Sequence, residues 1–276
     1  MGRSEKVVVV LSAVAAAAIG YVVWKAPGTV PGPIAYAGIL LPILLYIGLG
    51  SPRVLAALQA AASGGASGRL DGPGGVLKGL AALCLLWLPF ELRLLPQFFL
   101  PGPSGIDVTP VLLLDAALCL FLVWWRLDGV GFDFALTWAE VRAALEELAK
   151  LALPLAGLGF ALGFISWQPR PMGLEVVLLR PLGIYFLNAL PEEFLFRGVM
   201  QNLLGRRLPP RAALAVTAVV FGLAHVNNPW PNWQYVAMAT LAGWFYGRAY
   251  QKTGRVTASA LVHTAVNLTW ATLFHV

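Results

Sequence analysis

The chain has 276 residues, of which 59% are hydrophobic and 12% are charged, and its mean hydropathy is +0.76. A soluble domain carries roughly twice that fraction of charged residues, so the composition excludes an ordinary soluble enzyme and indicates a multi-pass membrane protein. The formal net charge of +6 does not indicate nucleic-acid binding, because the basic residues are spread over short loops. Basic residues placed in this way set the orientation of a protein in the bilayer.

Apolar stretches close to the roughly 20 residues that cross a bilayer follow one another along the whole chain. They predict an all-α fold, a polytopic transmembrane bundle of about eight to nine spans. The third stretch is the weakest, because it is short and contains Pro89. The stretches cover residues 7–24, 34–50, 76–90, 108–125, 151–167, 174–204, 211–226, 233–250 and 256–274.

Residues 138–150 differ from the spans because they are charged, with apolar residues at helical spacing. This pattern predicts either an amphipathic helix on the membrane surface or a solvated extension of the next span. The same segment divides the chain. We expect residues 1–137 to form transmembrane helices of unassigned role, and residues 138–276 to form the region that carries the function.

The distribution of basic residues predicts the orientation. When the N-terminus is placed in the cytoplasm, most of the 19 Lys and Arg residues fall in the connections on the cytoplasmic side. The external connections then hold Lys25, Arg93 and Arg170. The positive-inside rule therefore predicts a cytoplasmic N-terminus, and the short loops favour an integral protein of the bacterial inner membrane.

Ionisable side chains inside a bilayer are costly and are candidates for function, and they concentrate in the C-terminal spans. A rise of about 1.5 Å per residue places the groups of three successive spans at a similar depth. We expect a substrate to reach them through a gap between helices or from the inner side. The residues are Glu192, Glu193, Arg197, His225, His263 and Asn267.

The spacing of these residues suggests a role for each one. Glu193 and Arg197 are four residues apart and can form a supporting ion pair. Glu192 points about 100° away from Glu193 and is free to face a cavity, where a buried carboxylate can act as a general base toward water. His225 is placed to orient that water and to transfer its proton.

His263 and Asn267 are also four residues apart, so they share one helix face. Together they offer the two hydrogen-bond donors that stabilise an oxyanion. Pro191 cannot donate a hydrogen bond to the carbonyl of Leu187, so we expect a kink or the start of a half-helix beside Glu192.

Three short motifs, EEFLFR (192–197), FGLAH (221–225) and HTAVN (263–267), resemble the signatures of the CAAX-protease and bacteriocin-processing family. These intramembrane endopeptidases are similar to the type II prenyl-protein endopeptidase. The resemblance covers about residues 174–270 and implies that 138–276 is the catalytic domain. It implies that Glu192 and His225 activate water and that His263 and Asn267 form the oxyanion hole. The substrate classes left open are a prenylated CAAX tail and a bacterial C-terminal sorting tail, the latter as in the myxosortase branch.

The expected activity is therefore hydrolysis of a peptide bond near the C-terminus or in a membrane-proximal segment of a membrane-associated protein or peptide. The resemblance favours catalysis without a cofactor. A zinc site formed by Glu192, His225 and His263 is the alternative. Two other function classes stay open: a transporter or proton-linked carrier using the same Glu and His cluster, and a non-catalytic scaffold or immunity protein.

Overall fold

The computed structural model describes residues 51–61, 70, 73–95, 97, 107–169, 173–228 and 232–275. The described chain is helical, apart from a two-residue antiparallel pairing of β1 (Ser166–Trp167) with β2 (Phe274–His275). The helices are α1 (Pro52–Ala61), α2 (Pro73–Glu91), α3 (Thr109–Ala117, continued by the π-helical turns Leu118–Trp124), α4 (Trp138–Ala161), α5 (Leu174–Ile184, Tyr185–Ala189, Leu190–Glu193, Phe194–Gln201 and Asn202–Gly205 in succession), α6 (Pro210–Leu223), α7 (Asn232–Thr253) and α8 (Val256–Leu273).

The all-helical prediction is confirmed, and the number of membrane spans stays a prediction. Among the described residues, one helix, Gly74–Glu91, is long and apolar enough to cross a bilayer by length and composition alone. This helix corresponds to the third predicted span, which was the weakest candidate in the sequence. The apolar helices Thr109–Trp124 and Pro210–Leu223 are shorter. The predicted spans 7–24 and 34–50 lie outside the described residues.

Large apolar side chains lie on the outer surfaces of the helices as well as in the core. Leu85 of α2 is 77% exposed and Leu153 of α4 is 83% exposed. Leu178 and Leu182 are exposed on α5. Surface leucines spread over several helices are costly in water and favourable against lipid.

Helix α4 corrects the predicted boundaries of the fifth span. The charged segment 138–150 and the apolar segment after it form one continuous helix, so the segment is an extension of the span and not a separate surface helix. A capping box explains the early start, because the Thr137 side chain accepts from the Glu140 backbone N–H and the Glu140 carboxylate accepts from the Thr137 N–H. The helix ends at Ala161, and Ser166–Trp167 then leaves it as β1.

Helix α5 passes through Pro191 without restarting there. The π-helical turn Tyr185–Ala189 immediately precedes the proline, and the Leu190 N–H bonds the carbonyl of Tyr185, five residues back. A second π-helical stretch, Phe194–Gln201, follows the two glutamates. Wide turns of this kind occur mostly within α-helices and often at functional sites, and here they enclose Glu192 and Glu193.

Glycines let α5, α6 and α7 approach each other closely. A Cβ atom added at Gly222 of α6 would lie 2.7 Å from the Val236 carbonyl of α7 and would overlap the Thr240 hydroxyl. A Cβ atom added at Gly247 of α7 would lie 2.6 Å from the Gln201 side chain of α5. Small residues at helix contacts are typical of membrane bundles, and these two let α7 pack closely against α5 and α6, which carry the first two motifs.

Ion pairs join α4 to the C-terminal end of α7. The Glu147 carboxylate is fully buried and lies 2.7 Å from both Arg248 Nε and Lys252 Nζ, and 3.1 Å from Lys150 Nζ. Burial raises the pKa of Glu147, but the hydrogen bonds from Arg248, Lys252 and Lys150 outweigh it and hold that pKa at about 2. The interaction therefore stabilises the fold above the ordinary pKa of 4.5, and its contribution is lost as the pH falls toward 2.

Replacing Glu147 by Gln should lower the melting temperature of the detergent-solubilised protein near neutral pH. The change removes the shared anion and leaves the three cations without it, a loss of about 1–3 kcal/mol for hydrogen bonds to a charged group. It should also remove part of the acid sensitivity between pH 4.5 and 2. Glu146→Gln is the matched control, because the Glu146 side chain is 42% exposed. Equal melting temperatures for the two variants would contradict this role of Glu147.

Candidate active site

A cavity of about 300 Å³ lies between α2, α3, α5, the α6–α7 connection and α8. Its lining includes all four residues predicted to be catalytic, namely Glu192, His225, His263 and Asn267. The predicted supporting pair, Glu193 and Arg197, does not line the cavity but lies fully buried behind it. The structure thus brings the three motifs together around one enclosed space.

Glu192 presents one carboxylate oxygen that has no partner. Its Oε1 accepts a hydrogen bond from Asn188 Nδ2 at 2.7 Å, one helical turn earlier on α5. Its Oε2 is buried and has no hydrogen-bond partner among the described residues. The side chain is therefore oriented by one oxygen while the other can accept a proton.

His225 lies beyond the end of α6, which stops at Leu223, and not within the helix as the sequence predicted. Its Nδ1 lies 2.8 Å from the Phe221 carbonyl oxygen. A carbonyl only accepts, so Nδ1 carries the hydrogen and Nε2 holds a lone pair in the neutral ring. Stacking on Tyr235, with ring centroids 5.0 Å apart, fixes the plane of the imidazole.

His263 is held by Glu193, a contact that the sequence did not predict. Its Nδ1 lies 2.9 Å from Glu193 Oε1, and the ring stacks on Tyr246 with centroids 4.7 Å apart. The carboxylate accepts, so Nδ1 carries the hydrogen here too. His263 can then donate from Nε2 only when the ring is doubly protonated.

The predicted pair of Glu193 and Arg197 is present, with Nη1 and Oε1 2.9 Å apart. Arg197 also donates from Nη2 to the Gly243 carbonyl of α7 at 2.8 Å. Its guanidinium lies 4.4 Å from the ring centroid of Phe221 and 5.4 Å from that of Tyr246. Contacts of this kind with aromatic faces compensate part of the loss of hydration.

Asn267 is linked to Glu192 through Asn188. Asn267 Nδ2 donates to Asn188 Oδ1 at 2.8 Å, and Asn188 Nδ2 donates to Glu192. An amide nitrogen has two hydrogens, so Asn267 keeps one N–H for a ligand in the cavity. Asn188 was missed in the sequence, although an Asn four residues before Glu192 in an apolar span was a usable signal.

The wall formed by α2 and α3 was also missed, because no motif marks it. Glu91 and Arg93 from the end of α2 and Thr109 from the start of α3 line the cavity opposite the motifs. Asp115 of α3 is a buried carboxylate that does not line the cavity. Both of its oxygens lack a hydrogen-bond partner among the described residues.

The cavity extends toward one end of the bundle. Its lining includes Arg93, Gln97 and Asn228, which belong to the α2–α3 and α6–α7 connections. The basic connections, with Arg206 after α5 and Arg255 before α8, lie at the opposite ends of these helices. The lining therefore extends toward the helix ends opposite the basic connections, and the predicted access from the inner side stays a prediction.

A smaller cavity of about 30 Å³ adjoins the site between α4, α7 and α8. It shares His225, Tyr235, His263 and Asn267 with the larger cavity, and its outer wall includes Leu155. The expected access through a gap between helices stays a prediction.

A metal site was the alternative that the sequence left open, through Glu192, His225 and His263. No group of three or more His, Cys, Asp or Glu side chains is arranged to hold a metal ion in the part of the chain that the structure describes. The Nδ1 atoms of both histidines already have partners. The role of a metal stays untested, and the metal-free mechanism stays a prediction.

Comparison with known proteins identifies the same region as the motifs do. Residues 173–269 match the profile described as type II CAAX prenyl endopeptidase Rce1-like. No curated protein and no solved structure matches the chain. The matched segment extends from the start of α5 to the last turns of α8 and includes the four candidate catalytic side chains. Residues 173–269 are therefore similar to the Rce1-like type II CAAX prenyl endopeptidases, and this part of the chain contains the three motifs.

Proposed function

We propose that this protein is an intramembrane endopeptidase that hydrolyses a peptide bond near the C-terminus or in a membrane-proximal segment of a membrane-associated protein. The observation that carries the proposal is the unpartnered Oε2 of Glu192 in the cavity that His225, His263 and Asn267 also line. A volume of about 300 Å³ is at the lower end of the range for ligand pockets, which suits a short peptide segment.

In the proposed reaction, Glu192 removes a proton from a water molecule as the water oxygen attacks the carbonyl carbon of the substrate. His225 assists through the lone pair of Nε2, because its Nδ1–H is engaged by the Phe221 carbonyl. The proton then passes to the leaving amine as the C–N bond breaks. The products are a new carboxylate and a new amine, and Glu192 returns to its starting form.

The carbonyl oxygen of the substrate gains negative charge in the transition state. Asn267 supplies one donor, the Nδ2 hydrogen that is not used by Asn188, and protonated His263 supplies the second from Nε2. Donors that are already oriented toward developing charge stabilise the transition state more than the ground state. Asn188 and Glu193 act as positioning residues, the first for Glu192 and Asn267 and the second for His263.

The similarity to the family indicates only that the substrate has a cleavable segment at its C-terminus or close to the membrane. A prenylated CAAX tail and a bacterial sorting tail both fit that description. If the basic ends of the helices are cytoplasmic, as the positive-inside rule predicts, the mouth of the cavity faces the opposite side of the membrane. A substrate presented from that side is then favoured.

Glu192→Gln should leave the protein folded and inserted but inactive. The variant keeps the shape of the side chain and the bond from Asn188 while removing the base, so activity should fall at least about 10²-fold. The test compares the C-terminal peptides of the membrane proteome, by mass spectrometry, in cells with the wild type, with Glu192→Gln and with Glu146→Gln. Substrate termini should persist uncut only with Glu192→Gln. The same set of cut termini in all three would contradict the proposed function.

Asn267→Ala should lower kcat by about 10²–10³-fold with a smaller effect on KM, because its donor acts on charge that develops in the transition state. Asn202→Ala is the matched control, since Asn202 donates to the Asp128 carbonyl away from the cavity. Turnover of a substrate found by the proteome comparison measures both. An effect of Asn267→Ala on KM alone would assign Asn267 to substrate binding instead.

A further inference from the structure

Arg93 is the one Lys or Arg that lines the cavity within the described residues. It follows the end of α2 and lies at the mouth, far along the sequence from the three motifs. Its Nη2 donates to the Asn227 carbonyl at 2.8 Å. In return, Asn227 Nδ2 donates to the Glu91 carbonyl at 2.7 Å. These two bonds fix the guanidinium to the same turn that carries His225.

The backbone at Arg93 is unusual for a residue with a side chain. Arg93 has φ 55°, in the left-handed region. Its N–H bonds the Phe90 carbonyl, and the Leu94 N–H bonds the Pro89 carbonyl, five residues back. This is the Schellman ending of a helix, in which the left-handed position is usually glycine and sometimes asparagine. The turn does not require an arginine at this position. We therefore examine the interactions of the Arg93 side chain for its role.

The acidic residues of the cavity do not neutralise Arg93 by direct pairing. Glu91 is close enough to interact electrostatically with Arg93 but forms no ion pair with it among the described residues. Asp107 accepts from the Thr109 backbone N–H at 2.8 Å, and Glu192 accepts from Asn188. No ion pair of Arg93 is present among the described residues. A guanidinium has five N–H donors, and the bond to the Asn227 carbonyl is the one hydrogen bond of the Arg93 side chain among the described residues.

We propose that Arg93 binds a carboxylate of the substrate, and that this carboxylate is the substrate's own C-terminus. The inference rests on the proposed function and deepens it. A planar guanidinium binds a carboxylate through two parallel N–H···O bonds, and an enzyme that cuts near a C-terminus always meets one such group. Held at the mouth, the terminus would set how far from the chain end the peptide bond reaches Glu192.

The test uses the full-length protein in detergent and a mixed-sequence peptide library, half of it carrying a farnesylated cysteine. The library is made once with free C-terminal carboxylates and once with C-terminal amides, and mass spectrometry measures the cleavage rates. Wild type should cleave the acids about 10-fold or more faster than the amides, as expected for hydrogen bonds to a charged group. Cut sites should lie at a constant distance from the free terminus.

Arg93→Asn should cleave acids and amides at the same low rate. Asparagine is tolerated at the left-handed position, so the melting temperature should not fall, which separates a binding role from a structural one. Arg180→Gln is the matched control, because Arg180 is exposed on α5 and does not line the cavity. It should keep the wild-type preference for acids.

Three other results of the cleavage experiment would each lead to a different conclusion. Equal rates for acids and amides, with a preference for Asp or Glu that Arg93→Asn abolishes, would keep carboxylate binding but assign it to a side chain. Equal rates without such a preference would overturn the inference and leave the proposed function standing. Cleavage of no peptide in either library would overturn the proposed function and this inference with it.

Discussion

One buried carboxylate oxygen, Oε1 of Glu193, connects the fold to the site. It accepts from Arg197 on its own helix and from His263 on α8, each at 2.9 Å. Arg197 in turn donates to the Gly243 carbonyl of α7. Three helices are therefore joined through a group with no access to water. Loss of Glu193 or of Arg197 leaves the other charge uncompensated in the core. The same oxygen fixes the ring of His263 toward the cavity.

Two neighbouring glutamates have opposite environments because of where α5 places them. Both carboxylates leave Oε2 without a hydrogen-bond partner among the described residues. Glu193 is fully buried and bonds Arg197 and His263 through Oε1, whereas Glu192 lines the cavity. The wide turns on either side, Tyr185–Ala189 and Phe194–Gln201, carry the helix past Pro191 and set the rotation of both side chains. This difference supports the proposed division into one structural and one reactive carboxylate, since two carboxylates in different environments can take different roles.

The motif residues could be predicted from the sequence because each pairing lies within one helical turn, as with Glu193 and Arg197. The contact between Glu193 and His263 could not, since it depends on how α5 and α8 pack across 70 residues of sequence. The π-helical turns were missed because a period of 3.6 residues does not describe them. The wall of α2 and α3 has no motif, so Arg93 emerged only from the folded arrangement.

The most direct measurement of the central claim is a double-mutant cycle on Glu193→Gln and Arg197→Met. It records the folded fraction after solubilisation and the turnover rate of each variant. Arg197→Met alone should lose roughly 3–5 kcal/mol of stability, and the double variant should recover most of it, because no charge is then left alone. Turnover should stay low in the double variant, since His263 has lost the carboxylate that orients its ring. A double variant that is both stable and fully active would contradict the role of Glu193 in the site.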